Sequence, residues 1–439
     1  MSTPKTPASQ GDGATISPVN KKKPGVPGMG QLLSLYSGLP STTRIEKIEK
    51  NTSKKRAPTS SVSRHIVLGI TLAVIAAAAT LLAPTPISSV AWNPKSFPLP
   101  RGPLALNRDL SAAELLYKGK ISGPESFAFS QEGVLYTGLA DGRIMRSAAP
   151  WPRSAPYPDL ELFVHIGGIN YETCGTAETE ADCGRPLGLA FGSEGQLYVC
   201  DASFGLLSVN PKGRITVLAQ YSIDGAPITA CNSVAVGKDG MVYFTDSSSK
   251  HQRKDSEYTS FESAGDGRLL RYNPATRDVD VLMSGLHYAN GLSISPDGSR
   301  LLVSETTRYR IRKYDLRTHS AGDVFADNLP GSPENLHWSQ DGQNVWVALS
   351  ARSWITDVLA PFPLVRDWLA RVITKKQLSA LFPKSATVVS LSAFDGAIER
   401  TMYDPANKLG DITSAAEVHG QLVIGSSLNS FIGAVEILA

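Results

Sequence analysis

The chain has 439 residues, 42% of them hydrophobic, enough for roughly two or three average domains or one large repeat-built domain with a tail. Its net charge of +3 divides unevenly: residues 1–64 carry eleven Lys/Arg against three Asp/Glu, and the remainder 32 against 37. A mildly acidic body behind a basic tail argues against nucleic-acid binding, and 38 glycines with 29 prolines favour many turns over long helices.

Residues 1–64 are rich in Ser, Thr, Pro, Gly and Lys and show no sustained apolar period, the composition of a disordered tail. From Ile66 to Leu82, seventeen residues pass without a charge, with Arg64 before them and Pro84 and Pro86 after. This predicts a transmembrane signal-anchor over 65–83, since a signal peptide has a shorter apolar region nearer the N-terminus. Lys54, Lys55, Arg56 and Arg64 should hold the tail in the cytosol. The expected arrangement is a single-pass type II protein of the endoplasmic reticulum or plasma membrane, with a linker over 84–110 and residues 111–439 on the lumenal or extracellular side. In that oxidising compartment Cys174 and Cys183, in the polar stretch YETCGTAETEADCG, are expected to form a disulfide. Cys200 and Cys231, in apolar strand-like runs, read as buried thiols.

After residue 100, short alternating runs bounded by turn dipeptides replace helical periods. Alignment on the turn glycine exposes five copies of one pattern: ESFAFSQEG from Glu125, LGLAFGSEG from Leu187, NSVAVGKDG from Asn232, NGLSISPDG from Asn290 and ENLHWSQDG from Glu334. A weaker sixth, ITSAAEVHG, starts at Ile412. A second strand follows each turn, among them QLYVCDA, MVYFTDS and RLLVSET. Units of about 40–50 residues with three or four strands are propeller blades, so six copies predict an all-β, six-bladed β-propeller. The interval before the last copy holds a helical pattern over 354–382. Its Val358, Leu359, Phe362, Leu364, Leu369, Val372 and Leu381 are expected to cover the top of the propeller, with contact to a membrane as the alternative.

The innermost strand of each blade runs along the central channel. Glu125, Leu187, Asn232, Asn290, Glu334 and Ile412 therefore share one level around the axis, with Asn335 beside it. Two bare carboxylates in a narrow space raise each other's pKa, and a cation relieves this. Donors that mix carboxylate with amide oxygen suit calcium better than zinc or copper. Glu125, Asn232, Asn290, Glu334 and Asn335 are the candidate calcium ligands; the alternative is that they cap turns or hold buried water.

RPLGLAF, YFTDSSSK, DGRLLRYNP, ANGLSISPDG, VSETTRYRI and the PEN stretch resemble the strictosidine synthase-like family, in the same order. More distantly the chain is similar to the paraoxonases, which are six-bladed calcium propellers. The resemblance implies central calcium ligands at the same five positions, with Glu334 standing where the family pattern has Asp. It also exposes two departures. Leu187 stands where paraoxonases place a catalytic histidine, and Ala351-Arg352 where strictosidine synthase places its essential glutamate.

The readings combine into a membrane-anchored, calcium-dependent hydrolase of the esterase or lactonase (arylesterase-like) type, acting on a small-molecule ester or lactone. Glu334 is the candidate for positioning or deprotonating water, and His287 and His337 are candidate bases near the mouth. The chain lacks a G-x-S-x-G elbow, an H-E-x-x-H pair and a phosphate-binding glycine loop, which disfavours serine-hydrolase, zincin and nucleotide chemistry. The alternative from a different class is a membrane-tethered scaffold propeller with structural calcium and a protein partner. A third reading, amine–aldehyde condensation of the strictosidine synthase type, needs an acid/base carboxylate from elsewhere.

Overall fold

The turn glycine that aligns the repeats lies in the left-handed region in all six copies: φ is +81° at Gly133, +78° at Gly195, +80° at Gly240, +74° at Gly298, +70° at Gly342 and +78° at Gly420. A Cβ is strained there, so glycine recurs wherever the chain reverses between the first and second strand of a blade. The computed structural model describes residues 65–72, 80, 83–167 and 171–437.

Six four-stranded antiparallel sheets follow from this repeat. Blade one comprises Phe127–Phe129, Val134–Gly138, Arg143–Pro150 and Leu160–His165. The innermost strands of blades two to five are Pro186–Phe191, Cys231–Val236, Ala289–Ile294 and Gly331–Trp338. The weak sixth copy supplies the inner strand of blade six, Ser414–Val418, followed by Gln421–Gly425 and Ile432–Glu436. The outer strand of that blade comes from the other end of the chain: Glu114–Leu116 pairs with Ile432–Glu436, Glu114 opposite Ala434. The ring is thus the expected six-bladed propeller, closed by both chain ends.

Apolar side chains fill the wedges between blades. Cys200, Cys231, Val234, Phe244 and Leu270 pack blade two against blade three, and Leu302, Leu336, Val345 and Val389 pack blade four against blade five. Each such side chain contributes about 1.5–3 kcal/mol by leaving water. Cys174 and Cys183 form the expected disulfide. Cys200 and Cys231 are not thiols: they too are disulfide-bonded, with Cα atoms 5.2 Å apart. Each lies in an apolar run as its sequence suggests, but the two runs belong to neighbouring blades and face each other.

Three short helices, Trp354–Leu359, Pro363–Val372 and Lys375–Ser379, occupy the insertion. Leu359, Leu369, Leu378 and Leu381 turn inward to a cluster with Phe261 and Ile87. Trp354, Val358, Phe362 and Leu364 remain exposed, Leu364 at 81%. Part of the expected linker is packed as a strap across these helices. Ile87 is fully buried, Ser89 N–H donates to Asp367 Oδ1 (2.9 Å), and Trp92 N–H to Ala360 O (3.2 Å). Arg366 fastens strap to cover by donating to the carbonyls of Phe261 (2.6 Å), Glu262 (3.0 Å) and Val90 (2.5 Å).

Residues 1–64 lie outside the described residues, as do 73–79 and 81–82 of the expected span over 65–83. Residues 65–72 are helical and exposed. Among the described residues no helix is long and apolar enough to cross a membrane.

Candidate functional site at the propeller axis

The first position of the repeat is set by a break in the strand ladder. Pairing shifts register between Pro186 and Gly188, between Cys231 and Val234, between Ala289 and Leu292, and between Pro333 and Leu336. Each shift is a β-bulge, which leaves a residue unpaired and re-aims its side chain. Leu187, Asn232, Asn290 and the Glu334–Asn335 pair sit on these bulges.

The bulges bring several of the candidate ligands into contact. Asn335 Nδ2 donates to Glu125 Oε1 (2.8 Å), across the ring from blade five to blade one. Asn290 Nδ2 donates to Glu334 Oε2 (2.6 Å), and Ser350 Oγ to Glu334 Oε1 (2.8 Å). Three further oxygens are buried with no hydrogen-bond partner among the described residues: Glu125 Oε2, Asn232 Oδ1 and Asn290 Oδ1. Leaving such a group unpaired costs about 1–3 kcal/mol. Carboxylate and amide oxygens of this kind are the donor chemistry that calcium takes. The described residues contain no cluster of three or more His, Cys, Asp or Glu suited to a metal; here two carboxylates are complemented by amides.

Above this layer lies a cavity of about 530 Å³, roofed by the strap and the cover helices. Glu334, Ser350, Asp411, Tyr288 and Arg253 contribute to its walls, with Trp92, Phe261 and Phe382 toward the roof. Burial, then the negative charges of Asp411 and Glu125, push the Glu334 carboxyl up to about 8. Burial likewise raises Glu125, against the opposing charge of buried Arg185 and the Asn335 hydrogen bond. Asp411 is pushed up to about 6 by burial, with Lys384 opposing, and its Oδ1 has no hydrogen-bond partner among the described residues. Below the layer a smaller space of about 250 Å³ is lined by residues further along the same inner strands, including Ser126, Ser233, Asn335 and His337.

The two histidines fall outside the upper cavity. His337 lines the lower space, its Nε2 2.9 Å from Ser414 Oγ, and burial pushes it down to about 4. His287 lies beside Ser263, its Nδ1 3.2 Å from that carbonyl oxygen. Burial and the charge of Arg308 push it down to about 4. Asp411 was not singled out from the sequence, although it immediately precedes the start of the sixth repeat. No carboxylate from Ala351-Arg352 enters the site; Arg352 donates to Asp357 Oδ2 (2.6 Å) in the cover.

The strictosidine synthase family profile matches residues 232–319, and that of the strictosidine synthase-like N-terminal region residues 102–147. The chain is similar to the adipocyte plasma membrane-associated protein of Gallus gallus, at 36% identity over 84% of this chain and 88% of that one. It is 33% identical to the protein of the same name in Homo sapiens, over 84% of this chain and 88% of that one. Strictosidine synthase-like protein 13 of Arabidopsis thaliana is 33% identical over 72% of this chain and 81% of its own length. Among solved structures, a gluconolactonase of Xanthomonas campestris has a TM-score of 0.49 and 17% identity, covering 81% of this chain and 99% of that one.

Proposed function

The chain belongs to the strictosidine synthase-like family, and from that premise we propose that it is a membrane-anchored hydrolase of small esters or lactones that uses a calcium ion at the propeller axis. The observation that carries this reading is the set of three buried oxygens without a partner among the described residues, from Glu125, Asn232 and Asn290, in the axial layer whose Glu334 lines a roofed cavity. Glu125, Asn232, Asn290, Glu334 and Asn335 would hold the ion. When bound, it supplies Lewis-acid polarisation of a carbonyl oxygen.

The chain's own residues divide the remaining work. Asp411 lines the cavity and, raised to about 6, is mostly ionised at neutral pH yet basic enough to take a proton from water. It therefore replaces the two histidines as the base. Ser350 and Asn290 fix the orientation of Glu334. The strap and cover helices keep bulk water from the floor, which strengthens the field of every charge there. The names of the relatives, the uncharged run 66–82 and the exposed Trp354, Val358, Phe362 and Leu364 support the anchor, with the propeller on the lumenal or extracellular side.

The test is hydrolysis of phenyl acetate and a panel of lactones by the purified chain, with calcium and with chelator. Calcium-dependent turnover that vanishes in Glu334→Gln, while the thermal melt persists, is the expected result. Absence of turnover with a melt that still rises on adding calcium would favour the scaffold reading, which Leu187 at the paraoxonase histidine position supports. Condensation of an amine with an aldehyde, lost in Asp411→Asn, would favour the third reading.

A further inference from the structure

We infer that the Cys200–Cys231 disulfide is a clasp that positions Asn232 for cation binding, the covalent counterpart of hydrogen bonds that hold the same bulge in the next two blades. The inference rests on the calcium reading above.

The second strands Leu197–Asp201, Val242–Asp246 and Arg300–Glu305 carry Cys200, Thr245 and Ser304 at one shared position, each just before an acidic residue. In two of the three blades that residue reaches forward to the bulge of the next blade. Thr245 Oγ1 donates to Asn290 O (2.7 Å), and Ser304 Oγ donates to Glu334 O (2.7 Å). Each hydroxyl thereby fixes the backbone from which a cation-facing side chain departs. At the same position in blade two, Cys200 has no hydroxyl to offer. It bonds instead to Cys231, the residue immediately before Asn232.

A bulged residue lacks a ladder partner, so its direction is only as firm as its neighbours make it. Asn290 and Asn335 are steered a second time, by donating to Glu334 and Glu125. The oxygen of Asn232 has no such partner among the described residues, and both cysteines are fully buried beside it in the wedge between blades two and three. The clasp is therefore the strongest constraint on this one donor. Groups that orient a metal ligand without touching the metal are worth about 10–100-fold in affinity.

Calorimetric titration of calcium into the full chain, stripped with chelator, tests this without reference to turnover. Cys200→Val with Cys231→Ala fills the space but offers no clasp, and calcium affinity should fall about tenfold or more. Cys200→Thr with Cys231→Ala differs by one hydroxyl, the group that Thr245 uses in the next blade. It should recover to within about threefold of wild type, on the scale where tenfold is 1.4 kcal/mol. Cys174→Ala with Cys183→Ala, which opens the other disulfide, should bind as wild type does. Wild-type affinity in the valine variant, failure of threonine to recover it, or an equal loss on opening Cys174–Cys183 overturns the clasp. A wild-type chain that takes up no calcium overturns the metal reading itself, and the clasp with it.

Discussion

The two spaces on either side of the axial oxygen layer are built from the same strands yet differ in chemistry. Glu334 and Asn335 are consecutive on one bulge; the first lines the upper cavity and the second the lower. The upper space adds Asp411 and a roof; burial drives Glu334 and Asp411 upward, Glu334 further through the negative charge of Asp411. The lower space adds a single histidine, held by a serine of blade six and driven downward. A repeat thus delivers side chains to an axis, but the asymmetry that supports chemistry comes from what lies above each position.

Removing the charge on each side should break or sharpen this contrast. On the proposed hydrolase reading, Glu334→Gln should cost about 10²-fold or more in turnover, because it alters both a proposed cation donor and the wall of the cavity, read by initial rates at saturating calcium. Asp411→Asn should cost a comparable factor and abolish the acid limb of the rate profile near pH 6, since the base must be ionised to work. The same substitution has a signed effect on stability. A carboxyl raised from its ordinary value stabilises the fold below about pH 4, and that contribution is lost as pH rises through about 6. Asp411→Asn should therefore melt higher than wild type above pH 6, with the gap closing in acid. In the cover, Ile87→Ala should cost about 2–5 kcal/mol by chemical denaturation, and a chain begun at residue 91, which lacks Ile87 and Ser89, should lose the roof. The smallest effect belongs below the layer: His337→Ala should leave turnover within about twofold and cost about 1–3 kcal/mol of stability through the unpaired Ser414 hydroxyl.

The fold was legible because its grammar is local. A turn that demands positive φ demands glycine, and six glycines at one phase announced six blades before any pairing was known. The axial layer of polar side chains is legible for the same reason, since Glu125, Asn232, Asn290 and Glu334 begin their copies. What stayed hidden required knowing which blades touch. Cys200 and Cys231 read as separate buried thiols because their bond crosses a blade boundary that no local pattern encodes. Asp411, which lines the upper cavity, carries no such signal, because the sixth copy is weak and its preceding residue lies outside the repeat. His337 was placed at the mouth although its position, two beyond Asn335, carries it further along the inner strand and below the layer. His287 precedes its blade, and its surroundings are set by Ser263 and Arg308, which no repeat phase brings to mind.

The pairing of Glu114 with Ala434 carries a consequence for how the protein is made. A ribosome delivers blade one long before the strand that will join the first residues of the ring exists. Until Ile432–Glu436 emerges, Glu125 and Asn335 belong to an open arc, and the oxygen seat between them has no walls. Were an ion bound there as proposed, its capture would report that the ring has closed. On the proposed calcium reading, a polypeptide lacking Ile432–Glu436 keeps most of its sheets and should hold the ion more weakly than the closed ring, and calcium withheld during synthesis should delay the final closure more than any earlier step.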